Sequence, residues 1–152
     1  MNKKFEDYFS ELQADMVSIC LEYVENRADK IYIYGSFESG VLASDYFYNI
    51  NGEIVERHKL NNAVSNIEKI YDTSIERQSI VIRILNNDIK KLIDLCKEYG
   101  REMPTEMKLI YDVKKNSLKA EYKYDLVYSN DPIKTADDIA MEWFENIKAD
   151  ND

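Results

Sequence analysis

This sequence contains little glycine, proline, cysteine or histidine. These shortages argue against long flexible loops, a structural zinc site and a phosphate-binding loop. Four glycines and two prolines among 152 residues leave little room for long flexible loops. Two cysteines and one histidine are too few for the four nitrogen or sulfur ligands of a structural zinc site. No P-loop or dinucleotide-binding glycine motif occurs, so nothing in the sequence predicts a phosphate cradle. We therefore expect neither a metal nor a cofactor.

Long apolar runs are missing as well. None approaches the roughly 20 residues that a membrane-spanning helix requires. The start of the chain turns acidic at Glu6 instead of entering an apolar stretch, which predicts the absence of a signal peptide. Cys20 and Cys96 each fall on the apolar face of a predicted helix, which favours buried free thiols over the alternative of a disulfide. These features predict a cytoplasmic protein that does not contact a membrane.

What the sequence has in excess is negative charge, and it lies towards both ends. The formal net charge is −9, while 45% of residues are hydrophobic and 32% are charged, as in an ordered single domain spanning residues 1–152. Residues 1–29 hold seven acids against three bases, and residues 121–152 hold nine against three. Acidic helical surfaces repel nucleic acid and attract basic proteins. The alternative is that the charge only keeps the protein soluble.

Hydrophobic periodicity predicts three helices and five strands in the order α-β-β-β-α-β-β-α. A helix is predicted from Lys3 to about Arg27, where apolar residues recur every three or four positions. A three-stranded meander follows, with a hairpin turn at Asn51-Gly52 and a third strand over Glu53 to Lys59. Residues 60–72 are ambiguous and read as a loop with at most a helical turn.

The second half of the chain has clear start and stop signals. Thr73 to Glu76 matches a capping box that would begin the second helix, and Gly100 would end it. Residues 107–124 alternate as a hairpin, and Thr135 would cap the last helix. Hairpins without crossover connections predict an α+β fold: an antiparallel sheet of about five strands with the helices packed on one face.

Catalytic chemistry finds little support in the residue pattern. The only histidine, His58, lies on the predicted third strand between Arg57 and Lys59. A serine or cysteine nucleophile needs a base within hydrogen-bonding reach, and no spacing pairs His58 with Cys20, Cys96 or a serine. We therefore expect that the protein is not an enzyme and has no catalytic residues.

The last predicted helix carries a candidate partner-binding surface. Asp138, Glu142 and Glu145 share one face at spacings of four and three residues, and Met141 projects beside them. The helix dipole favours acids in the first turn and so explains Asp138 structurally, but it does not explain Glu142 and Glu145, which are expected to be unpaired. An exposed methionine between carboxylates suits a basic, partly apolar partner.

Tyrosine is unusually frequent, with twelve residues. Three pairs occur at a spacing of two, so the members of each pair share a face of the sheet. They form either core beneath the helices or an aromatic contact patch on an uncovered face. Nucleic-acid stacking is not expected, because the lysines near the third pair alternate to the opposite face. The pairs are Tyr32/Tyr34, Tyr46/Tyr48 and Tyr122/Tyr124.

Two stretches resemble the YezG-like antitoxin family. They are residues 45–60, DYFYNINGEIVERHKL, and residues 102–113, EMPTEMKLIYDV, with the partner strand at residues 118–125. The resemblance implies a small cytoplasmic immunity protein that binds and silences the nuclease domain of a toxin exported through type VII secretion. It carries no catalytic motif, and it assigns no functional residue here.

We therefore predict an immunity protein that occludes the active groove of a basic nuclease toxin. The alternative is a small-molecule or regulatory binding module with a pocket between helices and sheet. An enzyme with unrecognised chemistry is the third possibility. Neither the toxin's identity nor the oligomeric state follows from the sequence.

Overall fold

The fold contains the predicted helices and strands in the predicted order. The computed structural model describes residues 4–151. Within them the chain forms three α-helices, five strands and one 3₁₀ helix, so the α+β class and the element order are confirmed. The predicted helix start at Lys3 lies outside the described residues. The elements are α1 Phe5–Tyr23, β1 Lys30–Glu38, β2 Val41–Ile50, β3 Glu53–Glu56, the 3₁₀ helix Arg57–Ala63, α2 Ile75–Glu98, β4 Glu106–Asp112, β5 Ser117–Lys123 and α3 Ala136–Asn151.

All five strands form one antiparallel sheet in the order β3-β2-β1-β4-β5. The central strand β1 pairs with β2 through a tight hairpin and with β4, which follows α2. The predicted hairpin at Asn51-Gly52 is present, with φ values of 53° and 83° at the two turn residues. This positive φ is the reason that asparagine and glycine are suited to the turn.

Helices α1 and α2 cover one face of the sheet and enclose the larger core. Their apolar stripes, represented by Met16 and Leu85, are fully buried against Ile31 and Ile33 of β1. Gly35 permits the close approach, because a Cβ there would lie 3.1 Å from the Cε atom of Met107 and tight against α2. Burial of this aliphatic surface is the main stabilising contribution to the fold.

Helix α3 lies on the opposite face, so the prediction that all helices share one face is wrong. Trp143 and Phe144 pack their rings against Phe47, with centroid separations of 5.1 Å, and Trp143 also contacts Tyr32. The physical reason is that β1 and β2 are apolar on both faces, and a sheet buried on both faces needs a second layer.

Two predicted boundaries are also wrong. The third strand ends at Glu56, and His58 lies in the 3₁₀ helix that follows, where Leu60 turns inward and is fully buried. Helix α2 is capped by Ser74, whose hydroxyl accepts a hydrogen bond from the amide of Arg77, and not by the neighbouring Thr73. Both hydroxyl residues can cap a helix, and serine is the more favourable of the two at this position.

Several smaller predictions are confirmed. Gly100 ends α2 with φ 63°, and the amide of Arg101 donates to the carbonyl of Cys96, as in a Schellman motif. Cys20 and Cys96 are free and buried. Thr135 and Asp138 exchange side-chain to backbone hydrogen bonds at the start of α3. The helices of residues 4–151 include none whose length and apolar character would suffice to span a membrane.

The segment before α3 is held by a buried carboxylate. Glu38, at the end of β1, is 1% exposed and accepts hydrogen bonds of 2.8–3.2 Å from the amides of Val127, Tyr128 and Ser129. Burial alone would raise the pKa of Glu38, but these hydrogen bonds outweigh it and hold the pKa below its usual value. Glu38 therefore fixes the path of the chain from β5 to α3.

Candidate functional site

The predicted partner-binding residues form an exposed face on α3, which we call the α3 surface: Asp138, Met141, Glu142 and Glu145. The helix is held in one orientation because its opposite stripe, centred on Trp143, is buried against β1 and β2. Helical geometry then directs the four side chains away from the sheet. The structure therefore brings all four residues together on one outward face.

Local partners reduce the free charge of this surface. Lys134 Nζ lies 2.6 Å from Glu142 Oε1, so the prediction that Glu142 is unpaired is wrong. This hydrogen bond and the charge of Glu142 raise the pKa of Lys134. The carboxylate of Asp138 accepts hydrogen bonds from Thr135, as expected of a first-turn acid. Glu145 has no ion pair among residues 4–151, as the sequence predicts.

Met141 borders a cleft that the sequence did not predict. The cleft encloses about 150 Å³ between α3, β2 and the 3₁₀ helix. Its polar wall is built around Arg57, whose guanidinium forms an ion pair with Asp45 and donates to Gln78 Oε1 at 3.1 Å. Met141 is 43% exposed at the rim. The cleft therefore joins an apolar contact to a pre-oriented cation–carboxylate pair.

The lone histidine also lies at this cleft. His58 Nε2 is 3.9 Å from Glu56 Oε2, a distance that is too long for a hydrogen bond. The two thiols lie elsewhere and are shielded: burial raises the pKa of Cys20 strongly and that of Cys96 as well. Within residues 4–151 no three histidine, cysteine, aspartate or glutamate side chains are grouped so as to hold a metal ion. The residues that line the cleft at His58 include neither cysteine.

A larger groove lies between α1 and β5, on the other face of the sheet. It encloses about 500 Å³ and is lined by aromatic rings and a cation. Arg101 spans its end, with its guanidinium carbon 4.5 Å from the centroid of the Phe5 ring and a nitrogen 3.3 Å from Glu6 Oε1. A second concavity of about 320 Å³ continues along α1 towards Leu118. The rings lining the main groove are Phe5, Phe9, Tyr122 and Tyr124.

The structure separates the three tyrosine pairs. Tyr32 and Tyr34 are buried beneath α3, and Tyr46 and Tyr48 are buried beneath α1 and α2. The third pair, Tyr122 and Tyr124, is 37% and 48% exposed and lines the α1–β5 groove. Two pairs therefore lie in the core, and the third belongs to an exposed aromatic patch. The core alternative holds for the first two pairs, and the surface alternative for the third.

Comparison with known proteins does not assign the chain to a family. No protein-family model matches it, and no curated protein matches it significantly. The resemblance to YezG-like antitoxins therefore stays a prediction that rests on residues 45–60, 102–113 and 118–125. The surfaces themselves are an acidic helix with an exposed methionine, a small cleft at its side, and an aromatic groove on the opposite face.

Proposed function

We propose that this protein is an immunity protein that binds a basic nuclease toxin and blocks its substrate groove. The observation that carries the proposal is the α3 surface, where Glu142 and Glu145 lie beside the exposed Met141 on a helix fixed by its buried stripe. A partner rich in lysine and arginine would meet carboxylates in place of nucleic-acid phosphates. Met141 would add apolar contact at the edge of the same face, beside the cleft.

The mechanism is competition for cations. A nuclease binds its substrate largely through lysine and arginine contacts to phosphate. Carboxylates presented on a rigid helix occupy the same side chains, and stoichiometric binding then excludes the substrate. The pair between Lys134 and Glu142 is exposed, and exposed pairs contribute little to stability, so a toxin cation can displace Lys134 at little cost.

The test is a kinetic binding assay with the product of the neighbouring gene as partner, at two ionic strengths. The variant is Glu142→Lys with Glu145→Lys. Because opposite charges steer the encounter, we expect association to slow by about tenfold or more at low salt, and its salt dependence to flatten. Both residues are exposed, so thermal stability should change little.

The matched control is Asp94→Lys with Glu98→Lys, which changes the net charge equally but lies on α2, on the other side of the sheet. It should retain most of the wild-type association rate, because only total charge and not the α3 surface is altered. If association slows equally in both double variants, the effect comes from net charge and not from the α3 surface. Unchanged rates in the α3 variant would remove this surface from the interface.

The α1–β5 groove supports a second candidate function, a small-molecule binding module. Its volume of about 500 Å³ falls in the range of ligand pockets, and Arg101 is a polar group among aromatic walls. The rings suit an aromatic acid, whose carboxylate would have to displace Glu6 from Arg101. A thermal-shift screen of aromatic acids, repeated with Arg101→Gln, tests it: stabilisation in the wild type alone would favour this function over toxin capture.

A further inference from the structure

Strand β5 leaves one edge of the sheet open. It is the last strand in the order β3-β2-β1-β4-β5, and within residues 4–151 its only strand partner is β4. Six of its seven residues are exposed, and Ala120 at its centre is half-buried. The opposite edge, β3, has only four residues. An exposed edge of seven residues presents unpaired backbone groups that can accept another strand.

The sequence of β5 is complementary to itself when two copies run antiparallel about Ala120. Lys119 of one copy then lies opposite Glu121 of the other, and this contact occurs twice. Leu118 lies opposite Tyr122, also twice, and Ala120 lies opposite itself. Directly opposed residues project from the same face of a sheet. Opposite charges therefore meet on the α3 side, and apolar side chains meet on the α1 side.

The single chain leaves the two charges of this register without ion pairs and two of its apolar side chains partly exposed. Neither Lys119 nor Glu121 has an ion pair with any residue in the described range 4–151. On the other face, Leu118 is 41% and Tyr122 is 37% exposed at the open side of the α1–β5 groove. A strand added beside β5 would cover both apolar side chains and give each charge a partner.

The geometry points to a second copy of this chain as the occupant of the β5 edge. We infer a symmetric dimer in which the two β5 strands pair and the sheets join into one of ten strands. The two-fold axis passes beside Ala120, perpendicular to the sheet. Both α1 helices then lie on one side of the joined sheet and both α3 surfaces on the other, so the dimer leaves the α3 surface free. The inference is independent of the proposed function.

Charged edge strands also serve to prevent association, and that role is the competing explanation. Protection by charge usually relies on lysines, which repel one another when two copies of the edge meet. In β5 the signs alternate, so registers centred on Ala120 and on Tyr122 both bring opposite charges together, whereas a register centred on Glu121 opposes like charges. The register centred on Ala120 is favoured because it alone combines opposite charges with pairing of all seven residues, and each β5 edge then accepts one partner strand.

The experiment is sedimentation velocity of the full chain over about 1–300 µM, with wild type, Lys119→Glu and Glu121→Lys. A strand pair with few side-chain contacts is a small interface, so we expect a wild-type dimer with a dissociation constant of about 1–100 µM. Lys119→Glu places Glu opposite Glu twice, and Glu121→Lys places Lys opposite Lys twice. Each should weaken dimerisation by about tenfold or more.

Mixing the two single variants gives the decisive result. The glutamate introduced at position 119 of one chain then faces the lysine introduced at position 121 of the other, and the native Glu121 faces the native Lys119. A heterodimer should therefore form at concentrations where each variant alone is monomeric.

Lys90→Glu, on the exposed side of α2, is the control for charge and should dimerise as the wild type does. A monomeric wild type up to 300 µM, an unweakened Lys119→Glu dimer, or failure of the mixture to associate would each overturn the inference.

Discussion

The two faces of the sheet are built differently. Beneath α1 and α2 the core is largely aliphatic, and its centre is fully buried, as Leu85 and Ile31 with 0% exposure illustrate. Beneath α3 the contacts are mainly aromatic, and the buried residues of the helix retain 4–9% exposure. Helix α3 lies across β2 and β3, and the lysines and glutamate of β5 on the same face are exposed. The first face is covered except at the α1–β5 groove, and the second is left uncovered over β5.

The difference indicates a division of roles. The α1–α2 layer buries enough aliphatic surface to determine the stability of the fold. The α3 layer rests on fewer contacts and on the hydrogen bonds of Glu38, so it should open locally at lower free energy. The surface proposed to bind the toxin therefore lies on the less stable layer.

The strongest test of this comparison is a pair of core truncations. Leu85→Ala removes a fully buried side chain from the α1–α2 layer and should lower the free energy of unfolding by about 2–5 kcal/mol. Ile139→Ala, on the inner side of α3 with 9% exposure, should cost less because α3 can shift to close the space. Urea denaturation measures both. If Ile139→Ala lowers the free energy of unfolding as much as Leu85→Ala or more, the α3 layer is not the less stable of the two.

The second test removes the charge that holds the segment before α3. Glu38→Gln should destabilise the protein by about 1–3 kcal/mol, because a neutral amide accepts the amide hydrogen bonds less strongly. Since the pKa of Glu38 is lowered in the folded state, its contribution is present above the unfolded pKa of about 4.3 and is lost as pH falls through the folded pKa. Trp143 fluorescence, recorded from pH 6 to 2, should therefore change in the wild type and change less in the variant. Glu98→Gln, at an exposed site, serves as the control.

The smallest expected effect concerns Asp88, which lies between the helices of the α1–α2 layer and is 2% exposed. Burial raises its pKa to about 7, and the neighbouring Asp15 adds to the shift. A raised pKa means that the contribution to stability is full below about pH 3.9 and is lost as pH rises through about 7. Asp88→Asn should therefore stabilise the protein by roughly 1–2 kcal/mol at pH 8 and flatten this dependence.

The exposed Asp94→Asn on the same helix is the control for this third test, and thermal denaturation at pH 5 and pH 8 is the measurement. If Asp88→Asn is no more stable than the wild type at pH 8, then the charged Asp88 side chain does not destabilise the folded protein. If stability depends on pH equally in Asp94→Asn and in the wild type, the result supports Asp88 as the group that titrates.

Local signals were sufficient to predict most of the fold. Asn51-Gly52 specifies its hairpin through positive φ, and Gly100 ends α2 for the same reason. Helix placement was not predictable in this way. Periodicity shows which residues of β1 share a face, but it does not show which face a given helix covers. Tyrosines such as Tyr32 and Tyr34 are compatible with either core or surface. The sequence therefore did not predict that α3 covers them as a second layer.

The α3 surface was predictable as a face, but its charge state was not. Asp138, Glu142 and Glu145 share a face through helical geometry alone. The partner of Glu142, Lys134, lies before the helix, where no spacing rule applies, and only the path of the loop brings it close. The cleft at Met141 was missed for a related reason, because Arg57 and Asp45 meet through the pairing of β2 with β3.

The order of elements along the chain gives the second layer a consequence during protein synthesis. All five strands precede α3, so β1 and β2 leave the ribosome with Tyr32 and Phe47 uncovered on one face. Until residues 136–151 have been made and docked, the nascent chain displays aromatic surface of the kind that chaperones bind and that aggregates. A chain terminated before residue 136 would keep this surface permanently, and it would be marked for degradation by the same rings that anchor the complete protein.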